Sequence, residues 1–131
     1  MKLYTFSYNT DYNPSAPFVE IELIDYDERQ TPINLLAQVD SGADSSAIPL
    51  SMLRRVKARY EETRVMRDMS GFTQPVDMYL VAIGLANVTF YRSVMALHGH
   101  EAIIGRDILN HLTVTLNGPA TMTEILVDSA T

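Results

Sequence analysis

A carboxylate works as an acid or a base where a scaffold holds it still and leaves it within reach of a substrate, and Asp40 stands in such a place. It follows the apolar run Ile33-Asn34-Leu35-Leu36-Ala37-Gln38-Val39 and opens Asp40-Ser41-Gly42-Ala43-Asp44-Ser45-Ser46. These small, turn-forming residues lead into Ala47-Ile48-Pro49-Leu50, so a loop between two apolar strands carries the acid. Taken alone, Asp-Ser-Gly is also ordinary turn vocabulary. Two further groupings bear reactive side chains. His98-Gly99-His100 sets two imidazoles on one side of a strand, with Glu101 and His111 near in sequence. No spacing fixes a third ligand, so an exposed turn is expected there and no metal. Arg54-Arg55-Val56-Lys57-Ala58-Arg59 is a small basic cluster that reads as a solvated helix face.

The elements that must position Asp40 are strands. Val19, Ile21 and Leu23 alternate with Glu20 and Glu22, which predicts a strand over about 18–24 with one wet face. The charged segment Asp25 to Pro32 turns the chain into the strand over 33–39. Ser51 is a possible N-cap for a short helix through Lys57, with Met52, Leu53 and Val56 on one side. Tyr60 to Met69 and Gln74 to Leu85 read as the arms of a hairpin whose tip is Ser70-Gly71-Phe72-Thr73. Asn87 marks a turn, and Val88 to Leu97 and Ala102 to Ile104 follow as strands. A short helix over Arg106 to His111 and strands over Leu112–Leu116 and Met122–Val127 complete the chain, the last two joined by Asn117-Gly118-Pro119. Many short strands with frequent turns predict an all-β barrel or sandwich.

Composition narrows the function. The 131 residues, 47% of them hydrophobic, suit one domain over 1–131 with one core. The absence of cysteine removes thiol catalysis and cysteine–zinc folds, and it fits a reducing compartment. Ten Lys and Arg against sixteen Asp and Glu give a net charge of −6, which opposes nucleic acid or an acidic membrane as partner. Met1 to Tyr8 lacks the apolar stretch of a secretory signal, so the chain is expected to start here and to be cytoplasmic. Tyr79 to Val88 is about half the roughly 20 residues a spanning helix needs, and reads as buried strand.

Two motifs together carry a resemblance. Leu36 to Ser46, with Val39-Asp40-Ser41-Gly42-Ala43-Asp44 at its centre, is similar to the catalytic loop of the retropepsin-like aspartic proteases. Ala102-Ile103-Ile104-Gly105-Arg106-Asp107-Ile108-Leu109 resembles their second signature, two apolar residues, Gly, Arg and a short helix. A hairpin lies between them in the place of the family's flap, and the likeness covers about residues 17–118. The closing Leu112 to Pro119 looks more like the non-viral, prokaryotic-type branch.

The resemblance implies a closed β-barrel with a flap hairpin and one or two short helices, acting as an aspartic endopeptidase without metal or organic cofactor. The family's chemistry needs two carboxylates about 3 Å apart that share a proton. With one Asp-Ser-Gly per chain, the implied partner is a second copy, each copy giving Asp40 across a two-fold axis to a peptide or protein substrate. Asp40 would then be the acid/base, Ser41 would hydrogen-bond across the pair of loops, and Gly42 would offer a carbonyl to substrate. Ala43 and Asp44 would bind substrate backbone, with Arg106 pairing Asp44, while Ser70, Gly71 and Phe72 would close as the flap tip. Ile103 and Ile104 would line the core beneath the loop, and Gly105 would admit close packing. The family also implies a bulky apolar preference beside the scissile bond. Three departures stand out: one tip glycine where viral members have several, Ser41 where many members have Thr, and added length at both ends. Either Leu112–Leu116 or Met122–Val127 could supply the dimer-interface strand. The competing readings are a catalytically inactive retropepsin-like module that binds peptide or dimerises, and an unrelated small β-barrel for ligands.

Overall fold

The computed structural model describes residues 1–128, leaving the last three residues of the expected 1–131 domain outside the description. Strand makes up 56% and helix 8%, which sets the class as all-β. The strands are β1 (Lys2–Ser7), β2 (Phe18–Asp25), β3 (Ile33–Val39), β4 (Ala47–Pro49), β5 (Arg59–Arg67), β6 (Thr73–Leu85), β7 (Val88–Leu97), β8 (Ala102–Ile104), β9 (Thr113–Asn117) and β10 (Met122–Val127). Two short helices interrupt them, α1 (Leu50–Arg55) and α2 (Arg106–Leu109).

Seven strands hydrogen-bond in the order β2-β3-β8-β4-β7-β6-β5, and β2 also pairs with β6. That extra pairing closes six of them into a barrel and leaves β5 as an appendage of β6. Closure removes the open sheet edges that attract foreign strands. The alternation read in β2 is realised: Val19, Ile21 and Leu23 are fully buried, and Glu20 and Glu22 face water. They meet Ile48, Val81, Ile83, Val94, Ile104 and Ile108 in one core. Each such side chain contributes roughly 1.5–3 kcal/mol on leaving water.

The turn between β2 and β3 forms because Asp25 stays inside: its carboxylate accepts the Arg29 and Gln30 amides at 2.9 and 2.8 Å. Between β6 and β7 the chain reverses on Ala86 and Asn87, both with positive φ (51° and 64°). Such paired angles suit the right-handed twist of two-residue hairpins, and Asn tolerates them better than Ala does.

Several expectations need correction. Ser51 is no cap: the helix starts one residue earlier, after Pro49, and shows no side-chain capping bond. Leu50 therefore belongs to α1 rather than to the preceding strand. The second helix stops at Leu109 instead of His111, since Asn110 already serves as its C-cap. Ile104 is fully buried but Ile103 only half so, because adjacent strand residues face opposite sides. The N-terminal segment, to which the sequence reading assigned no strand, is β1. It pairs with β10 in register from Lys2–Val127 to Ser7–Met122, and β10 pairs on its other side with β9. The added length at the two ends thus supplies β1 and β10, which join β9 in a separate three-stranded sheet within one chain.

Candidate active site

β3 delivers Asp40. Its last residues pair in parallel with β8, Val39 opposite Ile104, and the Asp40 amide donates to the Ile104 carbonyl at 3.0 Å. The loop then folds back on itself: Ala43 N donates to Asp40 O at 3.2 Å, and Gly42 N donates to Asp40 Oδ1 at 2.9 Å. The Asp40 carboxylate is half-buried, held by one amide, with Ser41 and Gly42 exposed beside it. The carboxylate lone pairs that the Gly42 amide does not use are left open to a water or a substrate in that arrangement.

The segment 104–107 carries this loop. Arg106 N donates to Ala43 O at 2.8 Å, and its guanidinium spans two acceptors, Ser41 O at 2.6 Å and Asp44 Oδ1 at 3.1 Å. The pairing of Asp44 with Arg106 is therefore present, and Arg106 does more than pair: it pins the loop's backbone. Gly105 sits where a side chain has no room, since a Cβ would stand 2.7 Å from Ala43 O. The two motifs pack backbone to backbone.

Sequence reasoning missed the buried half of this junction. Ser46 is fully buried, and both its amide and its Oγ donate to the Asp107 carboxylate, the hydroxyl at 2.7 Å. The same Oγ accepts the Gly105 amide at 3.0 Å. The signal was slight: a polar pair, Ser46 and Asp107, inside two otherwise matched motifs.

The hairpin stands off the barrel. β6 pairs with β7 only from Met78 onward and with β2 only from Val81, so Thr73 to Asp77 are paired with β5 alone. At its tip Gly71 has φ +88°, the angle for which glycine is suited. Asp68, outside the expected tip, organises it. Its Oδ1 accepts the Ser70 hydroxyl at 2.6 Å and the Ser70 and Phe72 amides at 2.9 and 3.0 Å. The hairpin ladder closes with Asp68 N donating to Phe72 O. Phe72 and Met69 are left exposed at the end.

The Ser70 hydroxyl, followed by the amides of Phe72, Ser70 and Gly71, holds the Asp68 carboxyl below the usual carboxylate range against an opposing desolvation. Because the folded value lies below the unfolded one, the contribution to tip order is full above the unfolded value, about 3.9, and disappears as pH falls through the folded value. An NMR titration of the Phe72 amide should thus show its midpoint below about pH 3.9. A midpoint at or above that would contradict the capping role, and Asp68→Asn should abolish the titration.

His98, Gly99 and His100 lie exposed in the bend after β7, apart from this junction. Among the described residues, no group of three or more His, Asp or Glu is arranged to hold a metal ion. No helix among them is long and apolar enough to cross a membrane. A groove of about 680 Å³ runs between β1 and the barrel, lined by Lys2, Tyr4, Glu20 and Glu22 among others, and residues 40–46 do not line it.

The fold has solved counterparts. EIAV protease in complex with the inhibitor HBY-793 matches 81% of this chain and 93% of its own, at 21% identity and a TM-score of 0.58. The simian foamy virus (mac) protease matches 71% and 91%, at 18% identity and a TM-score of 0.54. A retropepsin-like aspartic protease from Rickettsia conorii matches 95% and 90%, at 9% identity and a TM-score of 0.58. No family profile and no curated protein sequence matches the chain. The structural likenesses establish a retropepsin-like fold, shared with viral proteases and with a bacterial relative.

Proposed function

We propose that, on this retropepsin-like fold, the chain is one half of an aspartic endopeptidase, active as a homodimer with one catalytic Asp40 from each copy. The observation that carries the proposal is the placement of Asp40: a half-exposed carboxylate at a strand end, in a loop hung from Ile104, Arg106 and Asp107. A single chain has only that one acid in the loop's centre, because the other loop carboxylate, Asp44, faces Arg106. Two loops meeting across a two-fold axis supply the pair.

In that pair one carboxylate is ionised and the other protonated, since like charges so close do not both ionise. The ionised Asp40 takes a proton from a water, whose oxygen attacks the scissile carbonyl carbon. The protonated Asp40 gives its proton to the carbonyl oxygen. The carboxyl that took the water's proton then gives it to the leaving nitrogen as the C–N bond breaks, while the other carboxylate takes a proton from a hydroxyl of the tetrahedral diol as the new carboxyl forms. The pair so returns to its shared-proton state without a covalent intermediate. Ala43 and Asp44 would hold substrate backbone, and Ser70, Gly71 and Phe72 would close over it to exclude water.

The shared proton gives the pH dependence. Activity belongs to the half-protonated pair, so the rate should have an acid-side optimum and decline as both carboxylates ionise. The test is cleavage of a broad peptide library between about pH 4 and 7, with the mass in solution recorded. A dimer that cleaves, with the rate falling toward neutral pH, supports the proposal. A well-folded dimer that binds peptides but cleaves none would favour the inactive binding module.

Arg106→Ala should raise KM by about tenfold, the scale of one charge-assisted hydrogen bond lost in a half-exposed setting. Asp44→Ala should also raise KM while leaving the Arg106 bond to the Ser41 carbonyl in place. Steady-state kinetics check both, and parent-like KM values would contradict their substrate-side role.

A further inference from the structure

The loop that carries Asp40 is anchored unequally. On its outer side the Arg106–Asp44 pair is open to water, with Asp44 92% exposed, and ion pairs in such settings contribute little. At its exit the anchor is inside. Ser46 is fully buried, and its amide (3.0 Å) and hydroxyl (2.7 Å) both donate to the Asp107 carboxylate. Two donors meeting one carboxylate, at a buried serine, hold more firmly than a pair spread over the surface. Ser46 is gripped from two more directions: its Oγ accepts Gly105 N, and its carbonyl accepts Met95 N from β7 at 3.0 Å. Asp107 is itself tied to β7, where Arg92 Nε donates to its carbonyl at 3.2 Å. Ser46 and Gly105 are buried and Asp107 and Arg92 partly so, and all of them converge on the residue where the loop re-enters the barrel.

We propose that Asp107 is a positioning residue for Asp40: through Ser46 it fixes the exit of the loop as Ile104 fixes its entry, and so sets where the carboxylate stands relative to its counterpart. This rests on the aspartic-protease reading. Proton sharing tolerates little displacement, and a shift of about 1 Å can cost about 100-fold in rate. Substrate affinity depends on the exposed groups, which Asp107 does not touch. Loss of Asp107 therefore lowers kcat with little change in KM.

The test compares Asp107→Ala, Asp107→Asn and Ser46→Ala as folded dimers. Asp107→Ala should lower kcat about 100-fold with KM within about threefold. Asp107→Asn keeps one acceptor oxygen for the Ser46 hydroxyl and should recover about tenfold of that loss. Ser46→Ala keeps the amide bond to Asp107 and should fall between parent and Asp107→Ala, so it decides the matter if the alanine variant at 107 does not fold. Amide exchange at Gly42 and Ala43, which do not touch Asp107, should quicken in each variant. Parent-like kcat together with parent-like exchange in the folded variants would overturn the proposal. If the parent itself cleaves nothing, the protease reading falls, and exchange at Gly42 and Ala43 alone still decides whether Asp107 holds the loop.

Discussion

Asp40→Asn should abolish cleavage, lowering kcat/KM by about 10⁴-fold, the upper range for removing a general acid–base group. The substitution removes both protonation roles at once, since in a symmetric dimer it changes both members of the pair. It should not disturb the fold. Asn retains an oxygen to accept the Gly42 amide, which is the hydrogen bond the Asp40 side chain makes within the chain. Asp40 is half-buried at a strand end, not part of the core, so its loss of charge leaves packing unchanged. Kinetics, melting temperature and solution mass should be measured on one preparation. Lost cleavage with unchanged melting and mass is the expected result; a variant cleaving at the parent rate would remove Asp40 from the chemistry. A parent that never cleaves, with peptide affinity unchanged by the substitution, would instead mark a binding module.

Gly105→Ala should be the most damaging small change in the loop junction. Its Cβ would lie 2.7 Å from Ala43 O, 3.0 Å from Ser45 C and 3.1 Å from Ser45 O, all backbone atoms. Ala43 O cannot withdraw freely because Arg106 N is bonded to it at 2.8 Å. Overpacking against backbone costs about 3 kcal/mol, which for a domain of this size lowers the melting temperature by roughly 10 °C. The accommodation must come from residues 43–45, so activity should fall further than stability does. Gly118→Ala is the control: a Cβ there meets nothing within 4 Å, and its effect should stay within about 0.5 kcal/mol. Equal melting of the two variants would mean that the motifs are not packed as described.

The fate of individual residues shows what a sequence of this kind discloses. Elements with period-two patterns, such as Val19, Ile21 and Leu23, were legible because burial of one face leaves its own trace. The two motifs and the Arg106–Asp44 pair were legible through a resemblance, although the pair is separated by 62 residues. β1 was not, because its hydrogen-bond partner β10 lies at the other end of the chain and Lys2 to Ser7 holds only Tyr4 and Phe6 as inward residues. Ser51 satisfied the local rule for a cap, yet Pro49, with φ −54° and ψ 133°, already set the helix entry. The Ser46–Asp107 contact spans 61 residues and joins two polar side chains that look like surface in isolation. Asp68 was passed over because the eye for turns falls on Gly71, whereas the carboxylate two residues before Ser70 gathers the tip's donors. For β1 and Ser46 the decisive partner was distant, for Asp68 the partners were mostly backbone amides, and at Ser51 a neighbouring proline overrode the local rule.

The central claim is that activity resides in a pair of Asp40 residues from two copies, and mixing subunits tests it most directly. Parent and Asp40→Asn chains are combined at constant total concentration, allowed to exchange, and assayed for cleavage where the solution mass is dimeric. If each active site needs an Asp40 from both copies, the rate follows the square of the parent fraction, and an equimolar mixture retains about one quarter of the parent rate. A rate that falls in simple proportion to the parent fraction, leaving about one half, would mean that each chain acts alone, and the shared-site account would be wrong.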